Sequence, residues 1–407
     1  MKNNWRVVAL VCLASFTAYL VRADVAVAQE RMAPALSLTM ADMGAITAWA
    51  FQLSYALLQV PAGMFGERYG VRVTFTLALL GCSVSSLTTG LMPDAGATGT
   101  LIATRILLGV SQAAVFPVAA LAVSEYVAVT ERVRANAFYI SSASLGAAVA
   151  PLLMAPVMEQ FGWRAVFLLS GAIGGLASFA MFAMLPRAHG ASAAPRVDRL
   201  ADHLRDTWRL VGNANLRRLS LAYLLHSAVY FVFVFWFFRY LTEGRGFTIL
   251  SSGFWASLPS IAGFVLAPIM GLGADRLGRR IGTAEARRRV AVGCLLSATV
   301  LVIVGATVPG AFLAIAALSL SSAGLNGAES PFFTTATVIG THNPGASAGF
   351  LNLMGNLGGV LSIWLVPRMS VAWGWNGTLT FWAGVAFAAA LLWLTVKADD
   401  GVVPAPV

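Results

Sequence analysis

Ionisable side chains are rare inside the long apolar stretches of this chain, and each one there needs a partner or a role, because an unpaired buried charge is costly. Arg22 follows Arg6 by 16 positions, which is about 24 Å along a helix. A guanidinium at that depth can bind a carboxylate through two parallel hydrogen bonds, or it can form an internal ion pair. Asp24 lies on a different helix face, where it is either a proton-binding acid or a residue at the rim.

A second set of polar residues follows in later stretches of the first half. Arg105 begins the fourth apolar stretch, and Gln112 lies two turns deeper on roughly the same helix face. Arg105 has the same two alternatives as Arg22, and its place near the outer end also allows it to reach water. Tyr19 and Tyr55 can add hydroxyl groups from the first and second stretches.

The second half carries its own polar residues. Glu329 is either a proton or cation site or a partner in a hydrogen bond between helices. Asn352 and Asn356 are one helical turn apart, so both amides can face one cavity or join neighbouring helices. His226 is expected to be a packed, hydrogen-bonded histidine, with proton transfer as the alternative. The candidate substrate-binding residues are Arg22, Tyr19, Tyr55, Arg105, Gln112, Tyr230, Ser330, Asn352 and Asn356, and the coupling candidates are Asp24 and Glu329.

The elements that must position these residues are membrane-spanning helices. Apolar residues make up 58% of the chain and charged residues 11%, which excludes a water-soluble globular protein. About 20 mostly apolar residues are needed for each helical span, and the first such segment is expected to be a retained span rather than a cleaved signal. The twelve predicted segments are 7–27, 43–62, 72–92, 100–123, 135–156, 164–185, 219–241, 253–273, 289–308, 310–333, 346–368 and 373–396.

The distribution of basic residues predicts the orientation of these spans. The central loop 187–218 carries seven Arg against three Asp, whereas the loops of the opposite set are nearly neutral. Because Lys and Arg near span ends stay in the cytoplasm, both termini and the central loop are expected there, in a bacterial-type inner membrane. The net charge of +10 is explained by this topology, so no nucleic-acid partner is predicted.

A ten-residue pattern occurs twice, as GMFGERYGVR at 63–72 and as GLGADRLGRR at 271–280. The repeat predicts two related halves, 1–186 and 219–407, joined by a cytoplasmic linker at 187–218. Its glycines permit close helix approach, and its charges can either latch one conformation or only anchor the loops in the cytoplasm. Glu125 could accept a hydrogen bond from Arg72 if their helix ends meet. The candidate latch residues are Gly63, Glu67, Arg68, Arg72, Glu125, Gly271, Asp275, Arg276 and Arg279.

This repeated pattern resembles the loop between the second and third helices, and its copy between the eighth and ninth, of the major facilitator superfamily. The resemblance implies an all-α membrane protein with 12 transmembrane helices in two pseudo-symmetric six-helix bundles. Further motifs resemble one branch, the anion:cation symporter family. They are RILLGVSQAAVFP (105–117), YLLHSAVYFVFVFWFFRYLTEGRGF (223–247), GFWASLPSIAG (253–263), AESPFFTTAT (328–337) and GFLNLMGNLGG (349–359).

The resemblance implies a carrier of organic anions such as sugar acids, commonly moved inward with protons. It implies substrate contacts from the first-helix Arg22 and Tyr19, from Tyr55 of the second helix, and from an Asn of the eleventh. Proton-coupled members have an acid just before the first-helix Arg and another in the fourth helix, where this chain has Val21 and Gln112. If proton coupling is retained, Asp24 or Glu329 is expected to supply it.

The expected mechanism is alternating access, in which two bundles rock about a central site where Arg22 holds the anion. Uniport or exchange of carboxylates, multidrug export and a sensor without transport are the alternatives. One chain contains both halves of the pathway, so a functional monomer is expected. No Ser-His-acid group, phosphate loop or metal-ligand spacing is present, so neither an enzyme, nor a cofactor, nor a metal site is predicted.

Overall fold

Helices build nearly all of the chain in a computed structural model that describes residues 5–93, 97–127, 132–186, 212–340 and 344–397, and these residues contain no strand. The helices of the first half are α1 (Trp5–Arg22), α2 (Asp24–Ala35), α3 (Met40–Ala45), α4 (Leu53–Leu91), α5 (Ala97–Gln112), α6 (Val115–Tyr126), α7 (Arg132–Phe161) and α8 (Trp163–Met184). Those of the second half are α9 (Ala214–Arg239), α10 (Ile249–Ile281), α11 (Thr283–Thr307), α12 (Ala311–Ile339) and α13 (Pro344–Leu394). Two π-helical turns, Ile46–Gln52 and Tyr240–Gly244, lie between α3 and α4 and after α9.

Ten helical stretches among the described residues are long and apolar enough to cross a membrane. One of them, Ser347–Leu394, contains two of the predicted segments, and the predicted segment 43–62 is not among the ten. An all-α, multi-pass membrane fold is therefore confirmed, whereas the count of twelve spans stays a prediction.

Two glycines divide the longest helices. Gly70 in α4 has a φ of 83° and Gly374 in α13 has a φ of 66°. A residue with a side chain would be strained at these positive φ values. Gly70 lies between predicted segments 43–62 and 72–92, and Gly374 is the second residue of the last predicted segment, 373–396. Each of these helices therefore consists of two pieces that meet where the hydropathy pattern predicts a boundary.

The described residues form two compact units. Unit 1 comprises the described parts of Met1–Pro195 and Val234–Leu258, and unit 2 those of Arg196–Phe233 and Pro259–Val407. Residues 187–211 of the predicted linker lie outside the described residues. The predicted division of the chain at 187–218 stays a prediction.

The C-terminal part of α9 belongs to unit 1 because its polar side chains bond to α2. Arg239 Nη1 lies 3.3 Å from Glu30 Oε1, and the Thr242 hydroxyl donates to Glu30 Oε2 at 3.2 Å. The amide of Gln29 also donates to the carbonyl oxygen of Phe235 at 3.3 Å. These bonds join two elements that are about 200 residues apart in the sequence.

Glycine contacts set the helix spacing within unit 1, where α4 packs on α5 and α8, and α1 packs on α7. A Cβ at Gly109 of α5 would lie 2.5 Å from the carbonyl oxygen of Phe51 and would clash with the Ser54 hydroxyl. A Cβ at Gly146 of α7 would clash with the carbonyl group of Phe16. The backbones approach so closely at both points that only glycine fits.

Unit 2 has the same kind of packing, with α11 against α12 and α13. A Cβ at Gly358 of α13 would clash with the carbonyl oxygen of Leu224 in α9, and one at Gly355 would overlap the ring of Tyr223. These contacts hold α9 directly on α13, beside the polar residues predicted in this half.

Candidate functional site

The guanidinium of Arg22 is enclosed by aromatic rings in unit 1. Its Cζ lies 4.6 Å from the centroid of Tyr19, 4.4 Å from that of Tyr55 and 5.3 Å from that of Phe51. The residue is 4% exposed. Ring faces attract a cation most strongly where water is excluded, so this aromatic cage stabilises the charge of the guanidinium.

Gln112 holds the same guanidinium from the side. Arg22 Nε donates to Gln112 Oε1 at 2.9 Å, and Gln112 Nε2 donates to the carbonyl oxygen of Ala18 at 2.8 Å. The second bond fixes which way the amide points, so that its oxygen faces Arg22. The structure places together four residues that the sequence predicted separately, namely Arg22, Tyr19, Tyr55 and Gln112.

Local backbone irregularities create this arrangement. The helical hydrogen-bond pattern is interrupted at Ala23, directly after Arg22, and again between α5 and α6, directly after Gln112. Pro117 accounts for the second interruption, because its ring displaces the carbonyl of Ala113 and it has no N–H to bond it. A π-helical turn ends at Gln52 and sets the register of the following residues. Such turns in a helix are frequent at functional sites.

A buried ion pair lies next to this cage. Arg105 Nη1 is 3.4 Å from Asp24 Oδ1, and the two residues are 1% and 0% exposed. Arg105 Nη2 also donates to the Thr89 hydroxyl at 3.1 Å, and the Ser86 hydroxyl donates to Asp24 Oδ2 at 3.3 Å. Arg105 is thus an internal ion-pair partner in this structure and does not reach water, and Asp24 is not a rim residue. Of the alternatives open for Arg105, the internal ion pair therefore describes this structure, in which hydroxyl side chains of α4 cover both residues.

Hydroxyl residues of α4 and α5 complete this buried layer, and the sequence analysis did not identify them. The Thr89 hydroxyl donates to the Thr104 hydroxyl at 2.9 Å, and the Ser85 hydroxyl donates to the carbonyl oxygen of Thr104 at 2.6 Å. The sequence signal that could have found them is the spacing of Ser85, Ser86 and Thr89, which places hydroxyl groups on one side of a largely apolar helix. Phe51 was also missed, because an aromatic residue in a span is unremarkable in a sequence.

In unit 2, Glu329 of α12 is exposed and accepts a hydrogen bond from the Tyr223 hydroxyl at 3.3 Å. The Tyr223 ring stacks on His226 with centroids 5.4 Å apart. His226 Nε2 lies 2.9 Å from the carbonyl oxygen of Leu325, so this nitrogen donates. His226 is 3% exposed and packs against Phe332, which is the packed state expected for it.

The remaining polar candidates of unit 2 differ in accessibility. Asn356 is buried, and its Nδ2 donates to the carbonyl oxygen of Asn352 at 2.8 Å. The Asn352 side chain is half-buried, and Ser330 is exposed beside Glu329. Tyr230 is half-buried with its ring 5.7 Å from Phe231. Asn352 is therefore the more accessible of the two amides that the sequence placed on one face.

The two copies of the repeated pattern adopt different conformations. Gly63 packs on Pro117, and the turn lies at Gly70. Around Gly271 no described atom would lie within 4 Å of an added Cβ, and the positive φ of this copy is at Gly282, beyond the end of the pattern.

Two of the charged latch candidates, Arg68 and Arg72, contact aromatic rings. Arg72 Cζ lies 4.8 Å from the Phe182 ring centroid and Arg68 Cζ lies 5.3 Å from that of Tyr69. No hydrogen bond or ion pair joins Arg72 to Glu125 among the described side chains, and burial raises the pKa of the Glu125 carboxyl. Arg276 and Arg279 are exposed, and the side chains of Glu67 and Asp275 lie outside the described residues.

Comparison with known proteins places these features in context. The profile of the Major Facilitator Superfamily matches residues 11–363. A D-galactonate transporter of Escherichia coli O6:H1 is 26% identical over 420 residues, with 98% of this chain and 96% of that protein covered. A probable galactarate/D-glucarate transporter of Escherichia coli K12 is 24% identical, covering 97% and 93%. The crystal structure of a bacterial homolog to the human lysosomal transporter Spinster, in an inward-facing and occupied conformation, superposes with a TM-score of 0.76 at 15% identity and covers all of both chains.

Proposed function

We infer that this chain, which belongs to the Major Facilitator Superfamily, is a secondary transporter of small organic acids and not an enzyme. Two relatives that align with nearly its whole length are named for D-galactonate and for galactarate or D-glucarate. These substrates are small carboxylates that carry hydroxyl groups. A sugar acid or a similar carboxylate is therefore the substrate that we propose here.

The observation that carries this proposal is the enclosed guanidinium of Arg22. Its Nε donates to the amide oxygen of Gln112, and the rings of Tyr19 and Tyr55 lie 4.6 Å and 4.4 Å from its Cζ. A carboxylate is the ligand that a guanidinium binds most specifically, because two N–H groups match its two oxygens. With the residue 4% exposed, substrate contact requires a tyrosine ring to move aside.

Uptake of labelled sugar acids into proteoliposomes tests the substrate class. We expect Arg22→Ala to abolish uptake and Arg22→Lys to recover little of it, because an ammonium cannot form the paired bonds. Arg6→Ala is the matched control, since Arg6 is exposed at the start of the same helix. Uptake by Arg22→Ala at the wild-type rate would exclude the clamp. Transport of apolar cations in place of carboxylates would favour an exporter, and no transport by an otherwise folded protein would favour a sensor.

For the driving force, we propose that Glu329 binds a proton during uptake. It is exposed and accepts a hydrogen bond from Tyr223, whereas Asp24 is committed to Arg105 in a buried ion pair. A carboxylate without an ion-pair partner can gain and lose a proton without leaving a buried cation unpaired. Of the two coupling candidates, Glu329 therefore fits the role better.

The test separates accumulation from exchange. We expect Glu329→Gln to lose accumulation driven by a proton gradient while it retains counterflow of labelled against unlabelled substrate. Glu285→Gln is the matched control, because this acid is ion-paired to Arg288 in α11, away from the polar cluster. Unchanged accumulation by Glu329→Gln contradicts the coupling role and leaves the substrate assignment intact.

Facilitated diffusion or exchange is the second candidate, and the bond between Arg22 and Gln112 favours it. A neutral amide there cannot exchange a proton in response to substrate, and Val21 likewise has no titratable group. Uptake that ignores the proton gradient in the wild-type protein would support this mode. We further propose that the protein lies in a bacterial-type inner membrane with both termini in the cytoplasm, because of the charge pattern of the loops. We also propose a functional monomer, because one chain contains both halves of the pathway.

A further inference from the structure

A groove of about 430 Å³ opens on the surface of unit 1 where the second piece of α4 begins. It lies at the end of this helix that the loop charges predict to be cytoplasmic. Its wall combines one cation with aromatic and aliphatic side chains. The residues that line it are Tyr69, Gly70, Val71, Arg72, Val73, Thr76, Leu77, Tyr126, Phe182 and Pro186.

Arg72 supplies the charge of this groove. Its guanidinium is half-buried over the Phe182 ring at 4.8 Å, and none of the acidic side chains that the structure describes lies within 4.0 Å of it. The chain turns at Gly70, so the first amides of the following helix point toward the same end. A helix start favours negative charge and thus adds to the attraction of the guanidinium.

The remaining wall is apolar and faces away from the protein interior. Val73, Leu77 and Leu80 are 45%, 50% and 46% exposed and lie at helical spacing on one face of α4. Phe182 of α8 is 55% exposed beside them, and the two helices are joined by a hydrogen bond from Ser178 to the backbone. In a membrane protein such a stripe contacts the acyl chains, and tyrosine rings belong at the level of the headgroups.

We propose that this groove binds an anionic phospholipid of the cytoplasmic leaflet. The lipid phosphate lies on Arg72 and the start of the helix, and an acyl chain follows Val73 and Leu77 past the edge of Phe182. A free phosphate ion would leave the apolar wall uncovered. A zwitterionic lipid would bring a second cation to a groove in which the described side chains provide no acid.

Binding of lipid to the delipidated, purified protein tests this assignment without any transport assay. The probes are phosphatidylglycerol, phosphatidylcholine with the same acyl chains, and glycerol 3-phosphate as a soluble phosphate. Native mass spectrometry counts bound lipid, and the thermal unfolding midpoint reports stabilisation. We expect phosphatidylglycerol to bind in preference to the other two.

Variants locate the site. Arg72→Ala should weaken phosphatidylglycerol binding by about ten- to a hundred-fold, which corresponds to the loss of one charge-assisted contact. Arg72→Lys should retain part of the preference, and Arg68→Ala, the exposed arginine one turn before, should retain all of it. Phe182→Ala should weaken both phospholipids equally. If Arg72→Ala and Arg72→Lys both bind phosphatidylglycerol as wild type does, or if glycerol 3-phosphate competes as well as the lipid, the proposal is wrong.

Discussion

Replacement of Gln112 by Glu changes the charge of the Arg22 site with little change in shape. In the wild-type protein, Gln112 Oε1 accepts from Arg22 Nε at 2.9 Å in a region where both residues are nearly inaccessible to water. A carboxylate at the same place would accept the same hydrogen bond and add a full negative charge. It would then compete with the carboxylate of the substrate for Arg22.

The expected size follows from the strengths of the two kinds of hydrogen bond. A neutral bond contributes about 0.5–1.5 kcal/mol and one to a charged group about 1.5–3 kcal/mol, so the ionised Glu holds Arg22 more tightly by about 1–2 kcal/mol. Substrate must displace that interaction, which raises KM by about 5- to 30-fold. The effect is present when the carboxyl is ionised and disappears when it is protonated. KM of Gln112→Glu should therefore rise with pH more steeply than that of the wild type.

The assay is initial uptake into proteoliposomes with equal pH on both sides, stepped from pH 5 to pH 8. Gln112→Leu is the control, because it removes the hydrogen bond without adding a titratable group and should change KM by the same factor at every pH. If the pH profile of Gln112→Glu runs parallel to that of Gln112→Leu, the amide does not act on substrate through Arg22. If both match wild type in KM, the position lies outside the site.

Three further predictions concern the same unit. Asp24→Asn should lower the thermal unfolding midpoint strongly, since an unpaired buried Arg105 costs about 3–5 kcal/mol. The double variant Asp24→Asn/Arg105→Gln should regain part of that loss, and a midpoint below that of the single variant would contradict the ion-pair account. Gly109→Ala should reduce uptake at normal expression, because the added methyl group forces α4 and α5 apart. Gly99→Ala, with open space around it, should leave uptake unchanged, and equal uptake by the two variants would refute the close-contact argument. Tyr55→Ala should raise KM by about 5- to 30-fold through loss of a buried cation–π contact, while Tyr55→Phe keeps the ring, so equal KM values would exclude stacking as its role.

Most of the fold could be predicted from the sequence because membrane spans follow from hydropathy alone. For that reason the turn at Gly70 falls between two predicted segments, and the turn at Gly374 falls at the start of the last one. The repeat was less informative about local geometry. Gly278 matches Gly70 in the repeated pattern, but α10 continues through Gly278 and the positive φ is at Gly282. Gly278 has ordinary helical surroundings, so nothing forces the chain to leave the helix there.

The site was predictable only in its residue types. Arg22 and Gln112 were each identifiable as polar residues in an apolar segment, yet their bond joins residues 90 positions apart and depends on how α1 meets α5. The pairing of Asp24 with Arg105 spans 81 positions and was equally invisible. Periodicity shows which face of a helix is polar but not which other helix covers that face.

The pairing of Asp24 with Arg105 in unit 1 bears on whether one site can both bind substrate and carry the coupling proton. Asp24 neutralises Arg105 inside a layer of hydroxyl groups, so a proton on Asp24 would leave a buried cation without its partner, at a cost of several kcal/mol. The other polar partner of this site, Gln112, has no proton to exchange. On our proposal that a proton drives uptake, the proton binds outside this layer, and the exposed Glu329 in unit 2 is the proposed site. Substrate affinity and gradient dependence should therefore be separable by mutation: variants at Arg22 should change the first, and variants at Glu329 the second. A single variant in unit 1 that preserved affinity and removed gradient dependence would contradict this division.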